Sequence, residues 1–361
     1  MTQLSSEKDA RATTARPPGA EASGRAAADA VLQQTSRQAR AVSLVREAAL
    51  LPVVVLLIIV GALVSNVFLT VSNFSGIGLQ ASALGVVVVG ESLIIMIGGM
   101  DLSLEGTYGL APMVAAWLIV PVAAFGSGAD LNPYIGILIL ILVGALVGVF
   151  NGLLIVKGGL NAFIVTLGMT IVLAGLQNGI VKAQTLFSLP SAFSYLGSAY
   201  WGQVPVSLVV TVIIFVGVGL FLRYHRGGRA IYAVGGNAEA ARAAGINVDR
   251  VKIGVYVAGS VLAAIGGLME AGRVSAVTGQ QGYQEGIIFT VFAAAVIGGV
   301  SLAGGKGNMV GAATGVVLLS LVQNILDLAN VSNYWILAIY GGVILIGLAV
   351  SRMIGGKTSQ G

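Results

Sequence analysis

The chain has 361 residues, 57% of them hydrophobic and 9% charged, with a mean hydropathy of +0.95, the composition of an integral membrane protein. It contains no cysteine and one histidine, His225 in a polar loop, which excludes disulfides and thiolate chemistry and argues against a histidine-based catalytic or metal centre. The formal charge of +5 does not imply a nucleic-acid partner, because the placement of the charges carries the information rather than their sum.

Residues 1–47 are rich in Ala, Ser, Thr, Gln and Arg, include Pro17-Pro18-Gly19, and cannot bury a core; they read as a disordered cytoplasmic tail. No apolar stretch in the first 40 residues resembles a cleaved signal. Ten apolar runs follow within a transmembrane domain at 48–350, at about 48–69, 79–97, 108–125, 134–156, 160–181, 204–222, 253–271, 287–302, 309–328 and 334–350. The third and eighth are short and flanked by glycine. The connections 98–106 and 303–308 are therefore either plain turns or re-entrant segments, which membranes tolerate where protein or water surrounds them. A short polar tail, 351–361, ends the chain.

Lysine and arginine set the expected orientation. With the N-terminus inside, the tail, Lys157, the loop 223–252, Lys306, Arg352 and Lys357 are cytoplasmic, and only Lys182 and Arg273 fall outside. The expectation is an all-α polytopic membrane protein of about ten transmembrane helices with both termini cytoplasmic.

The loop 223–252, RYHRGGRAIYAVGGNAEAARAAGINVDRVK, is the one long polar interruption between residues 50 and 350. Asn237 is placed to cap a short helix over 238–244, Glu239 sits in its first turn and Gly245 stops it. Such a basic, folded loop is either a docking surface for a soluble partner or a structured loop that holds the cytoplasmic side.

Other motifs are weaker. Residues 303–308, AGGKGN, miss the phosphate-loop pattern, since Val300 replaces its first glycine and Gly307 its hydroxyl residue. Gly144, Gly148 and Gly152, and likewise Gly311 and Gly315, put bare backbone on one helix face, for packing within the chain in preference to a subunit interface. Residues 97–103 resemble 297–302. The two stretches are expected to run in the same direction, which does not fit a simple inverted repeat, and coincidence in a glycine-rich chain accounts for the likeness equally well.

Glu91 lies inside a span, where it requires a polar partner, a cavity or a neighbouring subunit. Asp101 and Glu105 sit at a helix junction, with Asp101 expected to cap the following helix, and Glu270, Arg273 and Glu285 form an outer rim. Asn151, Asn161, Thr166, Gln177 and Asn324 are neutral polar groups on spans, suited to hydroxylated, uncharged ligands. The pathway candidates are Glu91, Asp101, Ser103, Asn151, Asn161, Thr166 and Asn324. Paired carboxylates at hydrolase spacing, a nucleophile–histidine pair and a metal-ligand cluster are all missing from the sequence, so no catalytic or metal residue is assigned.

Three ordered motifs carry a resemblance that covers roughly residues 50–350. They are Gly98-Gly99-Met100-Asp101-Leu102-Ser103, Gly235-Gly236-Asn237-x-Glu239-Ala240-Ala241-x-x-x-Gly245-Ile246, and Gly298-Gly299-x-Ser301-Leu302-x-Gly304-Gly305-Lys306-Gly307. The chain resembles the permease subunits of bacterial ABC importers for monosaccharides such as ribose, xylose, arabinose and galactose. Met100 and Glu105-Gly106 depart slightly from the family pattern, and the N-terminal tail lies outside it.

The resemblance implies a bacterial cytoplasmic (inner) membrane location and a second permease copy, as homodimer or paralogue heterodimer. It also implies an extracytoplasmic sugar-binding protein and two ATP-binding subunits, which would hold ATP and Mg while this chain holds no cofactor. Residues 237–245 would then match the coupling helix, with Gly235, Asn237, Glu239, Ala240, Ala241, Arg242 and Gly245 at the ATPase interface. The alternatives are an ion-coupled secondary transporter using Glu91 and a membrane scaffold; the scarcity of intramembrane charge argues against the first and glycine-broken helices against the second.

Overall fold

The computed structural model describes residues 52–283, 286–332, 335, 338–339 and 341–342. The tails 1–47 and 351–361, Glu285 and most of the tenth apolar run lie outside the described residues.

Among the described residues, six helices are long and apolar enough to cross a membrane: α2 (Val71–Met96), α4 (Pro133–Val156), α5 (Ala162–Val181), α7 (Val206–Tyr224), α10 (Val248–Val274) and α12 (Met309–Leu328). Three further apolar elements are shorter: α1 (Pro52–Val64), α3 (Leu104–Ile119) and α11 (Ile287–Ile297). Among the described residues six helices reach spanning length where ten spans are expected, and the tenth run lies largely outside them. The third and eighth runs form the shorter helices α3 and α11, each preceded by a non-helical return. The smaller elements are the α-helices α6 (Ser191–Ser198), α8 (Arg226–Gly236) and α9 (Ala238–Ala243), a single 3-10 turn over Val122–Ala124, and a short hairpin pairing β1 (Tyr200–Trp201) to β2 (Val204–Pro205).

Helix α2 is the centre of the bundle, buried all round from Gly85 to Met96, as a helix apolar on every face must be. Bare glycine backbone allows its neighbours to approach closely. A Cβ on Gly90 would lie 3.0 Å from Gly259 Cα, and one on Gly266 would meet Ala83 O, so α2 and α10 run antiparallel. The glycines of α4 form a ladder against α10: a Cβ on Gly144 would lie 2.9 Å from Ser260 O, and one on Gly148 would lie 2.5 Å from Val257 Cα. Gly311 and Gly315 pack in the same way on Gly298 and Ala294, so both glycine ladders serve packing within the chain. Facing residues show that successive elements from α2 through α5, then α7 and α10 to α12, alternate in direction. The outward faces of α4, α5 and α7 carry exposed Leu, Ile, Val and Phe.

The backbone between α2 and α3 does not leave the bundle. Gly98, at φ +75°, closes α2, with Gly99 N–H bonded to Ile94 O and Gly98 N–H to Ile95 O, both at 2.9 Å. The chain then turns back, so that Asp101 N–H faces the Glu91 carboxylate at 3.4 Å. Helix α3 begins only there, and its Gly106 packs against Leu173 near the middle of α5.

The same device recurs in the opposite direction after α10. Ser275 ends α10, and Val277 bridges to Leu186. The return is held by Gln177 Nε2 on Thr278 O (2.8 Å), Gln281 Nε2 on Gly267 O (3.0 Å) and Tyr283 Oη on Thr170 O (2.9 Å). Helix α11 starts at the end of this return, where the Ile288 backbone N–H faces the Glu105 carboxylate. Two units of long helix, non-helical return and short helix therefore meet N-terminus to N-terminus inside the bundle, an arrangement of oppositely directed broken helices. The internal likeness read from sequence concerns something else: 97–103 and 297–302 are the glycine stops of α2 and α11, which run in the same direction, with Gly98 matched by Gly299 one residue later.

Candidate functional site

One end of the bundle gathers the C-termini of α2 and α4, the N-terminus of α10, and α8 and α9, together with Lys157, Lys306 and the six basic residues of the loop. Lys182 and Arg273 mark the other end, where Arg273 forms a two-pronged pair with Glu270 (2.8 and 2.6 Å).

The loop folds as its residues dictate. His225 caps α8, its Nδ1 accepting from Gly227 N–H at 3.0 Å while the ring stacks on Phe221. Asn237 is extended and breaks the helix, and its Oδ1 accepts from Ala240 N–H at 2.9 Å to start α9. Gly245, at φ +83°, stops α9, with Ile246 N–H returning to Ala241 O at 3.0 Å. Val234, Ala241 and Val248 form a small core beneath α9, leaving Asn237, Glu239, Ala240, Arg242 and Gly245 exposed. Two residues assigned to the docking face do not lie on it: Ala241 is buried in this core, and Gly235 is turned against α2. Asp249 pairs with Lys157 (2.5 Å) and Arg242 (3.7 Å); at this exposure such pairs add little to stability and serve mainly to set position.

Gly235 belongs to a contact of three backbones. Gly305 N–H donates to Met96 O at 2.8 Å. A Cβ on Gly235 would collide with that same Met96 oxygen and lie 2.6 Å from Gly305 N, and one on Gly304 would lie 2.7 Å from Gly235 O and 3.0 Å from Gly98 N. Tyr232 Oη adds a bond to Gly307 O at 2.8 Å. Residues 303–308, which fail as a phosphate loop, thus clasp α8 to the end of α2. The three motifs singled out in the sequence, more than a hundred residues apart at their extremes, touch here through bare backbone.

Four pathway candidates meet in one network. Ser103 Oγ donates to Asp101 Oδ1 (2.5 Å) and accepts from Asn151 Nδ2 (2.7 Å); Asp101 Oδ1 also accepts from Ser103 N–H (2.9 Å), and Glu91 accepts from Asp101 N–H. Asp101 thus braces Ser103, the residue before α3, and does not cap the helix itself. All four side chains are 0% exposed, so in this conformation the network pins the return segment to α2 and α4 and lines no open route. The other three candidates stand apart. Asn161 is exposed and caps α5 through Ile164 N–H (3.3 Å), Thr166 bonds back to Ala162 O (2.9 Å), and Asn324 exchanges two bonds with Asn73 (3.0 and 2.9 Å).

Gln281 and Tyr283 were missed from the sequence, because a polar stretch after an apolar run reads as an external loop; its only signal was the shortness of the eighth run. Among the described residues there is no group of three or more His, Cys, Asp or Glu able to hold a metal ion.

A family model described as the branched-chain amino acid transport system / permease component matches residues 73–348. The ribose import permease protein RbsC of Escherichia coli K12 is 34% identical over 315 residues, 86% of this chain and 94% of that protein. RbsC of Bacillus subtilis 168 is 33% identical over 82% of this chain and 90% of its own length. The galactose/methyl galactoside import permease protein MglC of Salmonella typhimurium LT2 is 32% identical over 83% and 93%. No solved structure matches. With helices able to cross a membrane several times and this likeness running through almost its whole helical bundle, the chain belongs to the permease-component family that includes these sugar-import permeases, and it is a transport subunit rather than an enzyme.

Proposed function

We propose that the chain is the membrane-spanning subunit of an ATP-driven importer of a monosaccharide or similar neutral polyol in a bacterial inner membrane. It crosses the membrane about ten times with both termini cytoplasmic, pairs with a second permease copy, receives solute from an extracytoplasmic sugar-binding protein, and draws on ATP-binding subunits that hold ATP and Mg. The observation that carries this reading is the build of the loop at the basic end. Helix α9 presents Asn237, Glu239, Ala240, Arg242 and Gly245 outward, while α8 behind it rests on the end of α2 without a side chain between them. A displacement of α9 by an ATPase would therefore reach the central helix with little slack, because backbone contacts have no rotamers to absorb it.

The relatives' names support a sugar as solute. The positive-inside bias supports the orientation, since the end bearing α9 also holds nearly all the described basic residues. The ion-coupled alternative is weaker, because Glu91 is enclosed in a network bonded within the chain.

The test is a pull-down from detergent-solubilised membranes, comparing wild type with a variant altered across 237–245. Co-purification of an ATP-binding subunit with wild type alone supports the reading. Transport by vesicles holding this chain alone, with no ATPase in either sample, refutes it.

A further inference from the structure

The N-termini of α3 and α11 meet midway through the bundle at a face of α3 that holds acceptor oxygens without donors. Glu105 and Gly109 are one turn apart on that face. The Glu105 carboxylate faces the backbone N–H of Ile288 in the first turn of α11, and its Oε1 has no hydrogen-bond partner. The Gln177 amide lies against Gly109, as does the Gln281 backbone carbonyl, 2.5 Å from where a Gly109 Cβ would sit. Both glutamine amides are oriented by their donors. Gln177 Nε2 is committed to Thr278 O, and Gln281 Nε2 to Gly267 O and Tyr108 O. Each therefore offers its Oε1, and neither Oε1 has a partner. All three side chains are more than nine-tenths buried, and a buried acceptor left without a donor costs about 1–3 kcal/mol.

We propose that Glu105, Gln177 and Gln281 form the solute-binding station of the permease, specific for a neutral molecule rich in O–H donors. This rests on the importer reading above and names the residues for it. Every free group at the station is an acceptor, so a ligand must donate. A polyol does so through its hydroxyls, whereas an anion is repelled by the acceptor oxygens. The positive ends of two helix dipoles converge on Glu105, which disfavours a cation. The return segment through Gln281 to Tyr283 closes the face, and Gly282 lies against Glu105 O, so its withdrawal uncovers the station and its return encloses it. The remaining unpartnered oxygens of Glu91, Asp101 and Asn151 belong to the separate network that fixes the return after α2.

The chain has no native cysteine, so single cysteines test this in the assembled importer. A hydrophilic methanethiosulfonate reagent is applied to Gln177→Cys in membranes, at rest and during ATP turnover with D-ribose or D-galactose supplied through the binding protein. The station predicts labelling that rises at least about tenfold on turnover and slows when the transported sugar is in excess. Ser103→Cys, in the network around Asp101, is the comparison and stays protected.

In parallel, Gln177→Leu and Gln281→Leu are expected to lower sugar uptake per ATP hydrolysed by about tenfold or more, since each loses its free acceptor together with the Nε2 bonds that hold the return. Labelling at 177 that turnover leaves unchanged, or uptake and hydrolysis falling together, overturns the station and leaves the importer reading intact. An assembly in which wild type itself shows no ATP-driven uptake refutes the importer reading instead.

Discussion

Replacing Gly235 with alanine sets two physical terms against each other. Gly235 lies inside α8 with ordinary helical geometry, where alanine is favoured over glycine by about 1 kcal/mol. The new Cβ, however, would fall on Met96 O and come within 2.6 Å of Gly305 N. Both are backbone atoms joined to each other by a 2.8 Å hydrogen bond, so neither can turn aside as a side chain would. Overpacking of this kind costs about 1–3 kcal/mol and more where backbone must move. Its neighbour provides the control: a Cβ on Gly236 meets nothing within 4 Å, so Gly236→Ala is neutral or up to about 1 kcal/mol stabilising. The difference between the two variants isolates the clash, and Gly235→Ala should be the less stable by about 1–3 kcal/mol. Thermal unfolding of the purified protein in detergent, followed by tryptophan fluorescence, measures the pair side by side. Equal stability of the two variants would refute the three-backbone contact.

Three further outcomes are expected. Asn237→Ala removes the cap of α9 and should cost about 1 kcal/mol of local stability, seen as faster amide exchange over 238–244, with weaker retention of the ATP-binding subunit in a pull-down. Ser103→Ala leaves the buried Asn151 amide without its acceptor and removes one of the two bonds that Asp101 Oδ1 accepts, and should destabilise by about 1–3 kcal/mol, whereas Ser103→Thr keeps the hydroxyl and should recover part of the loss; equal melting of Ser103→Ala and wild type would contradict the network. Lys157→Ala removes an exposed partner of Asp249 and should leave the melting temperature nearly unchanged, with any small difference shrinking further when unfolding is repeated at high salt.

Much of the candidate site was legible before the fold was known, for reasons particular to each residue. Asn237 and Gly245 act on their own neighbours, one through a side chain that reaches three residues ahead, the other through a backbone angle that a β-carbon disfavours, so the limits of α9 followed from local chemistry. The glycines of α4 were readable as a packing face because helical periodicity alone aligns them. Gly235 and Ala241 were placed on the outer surface, because sequence shows which residues share a motif and not which side of it meets the chain's own core.

What the sequence determined by itself is therefore short-ranged or additive: a membrane protein by composition, a basic end by charge placement, and a capped helix in the polar loop. Depth was decided only by the tertiary structure. Apolar runs at 108–125 and 287–302 count as crossings by hydropathy, yet each is preceded by a non-helical return inside the bundle, one through Asp101 and one through Gln281. These returns stay inside because their polar groups are bonded to residues of α2, α3, α5 and α10. Those partners lie about 10 to more than 170 residues away in the chain, and no window of local sequence contains them all.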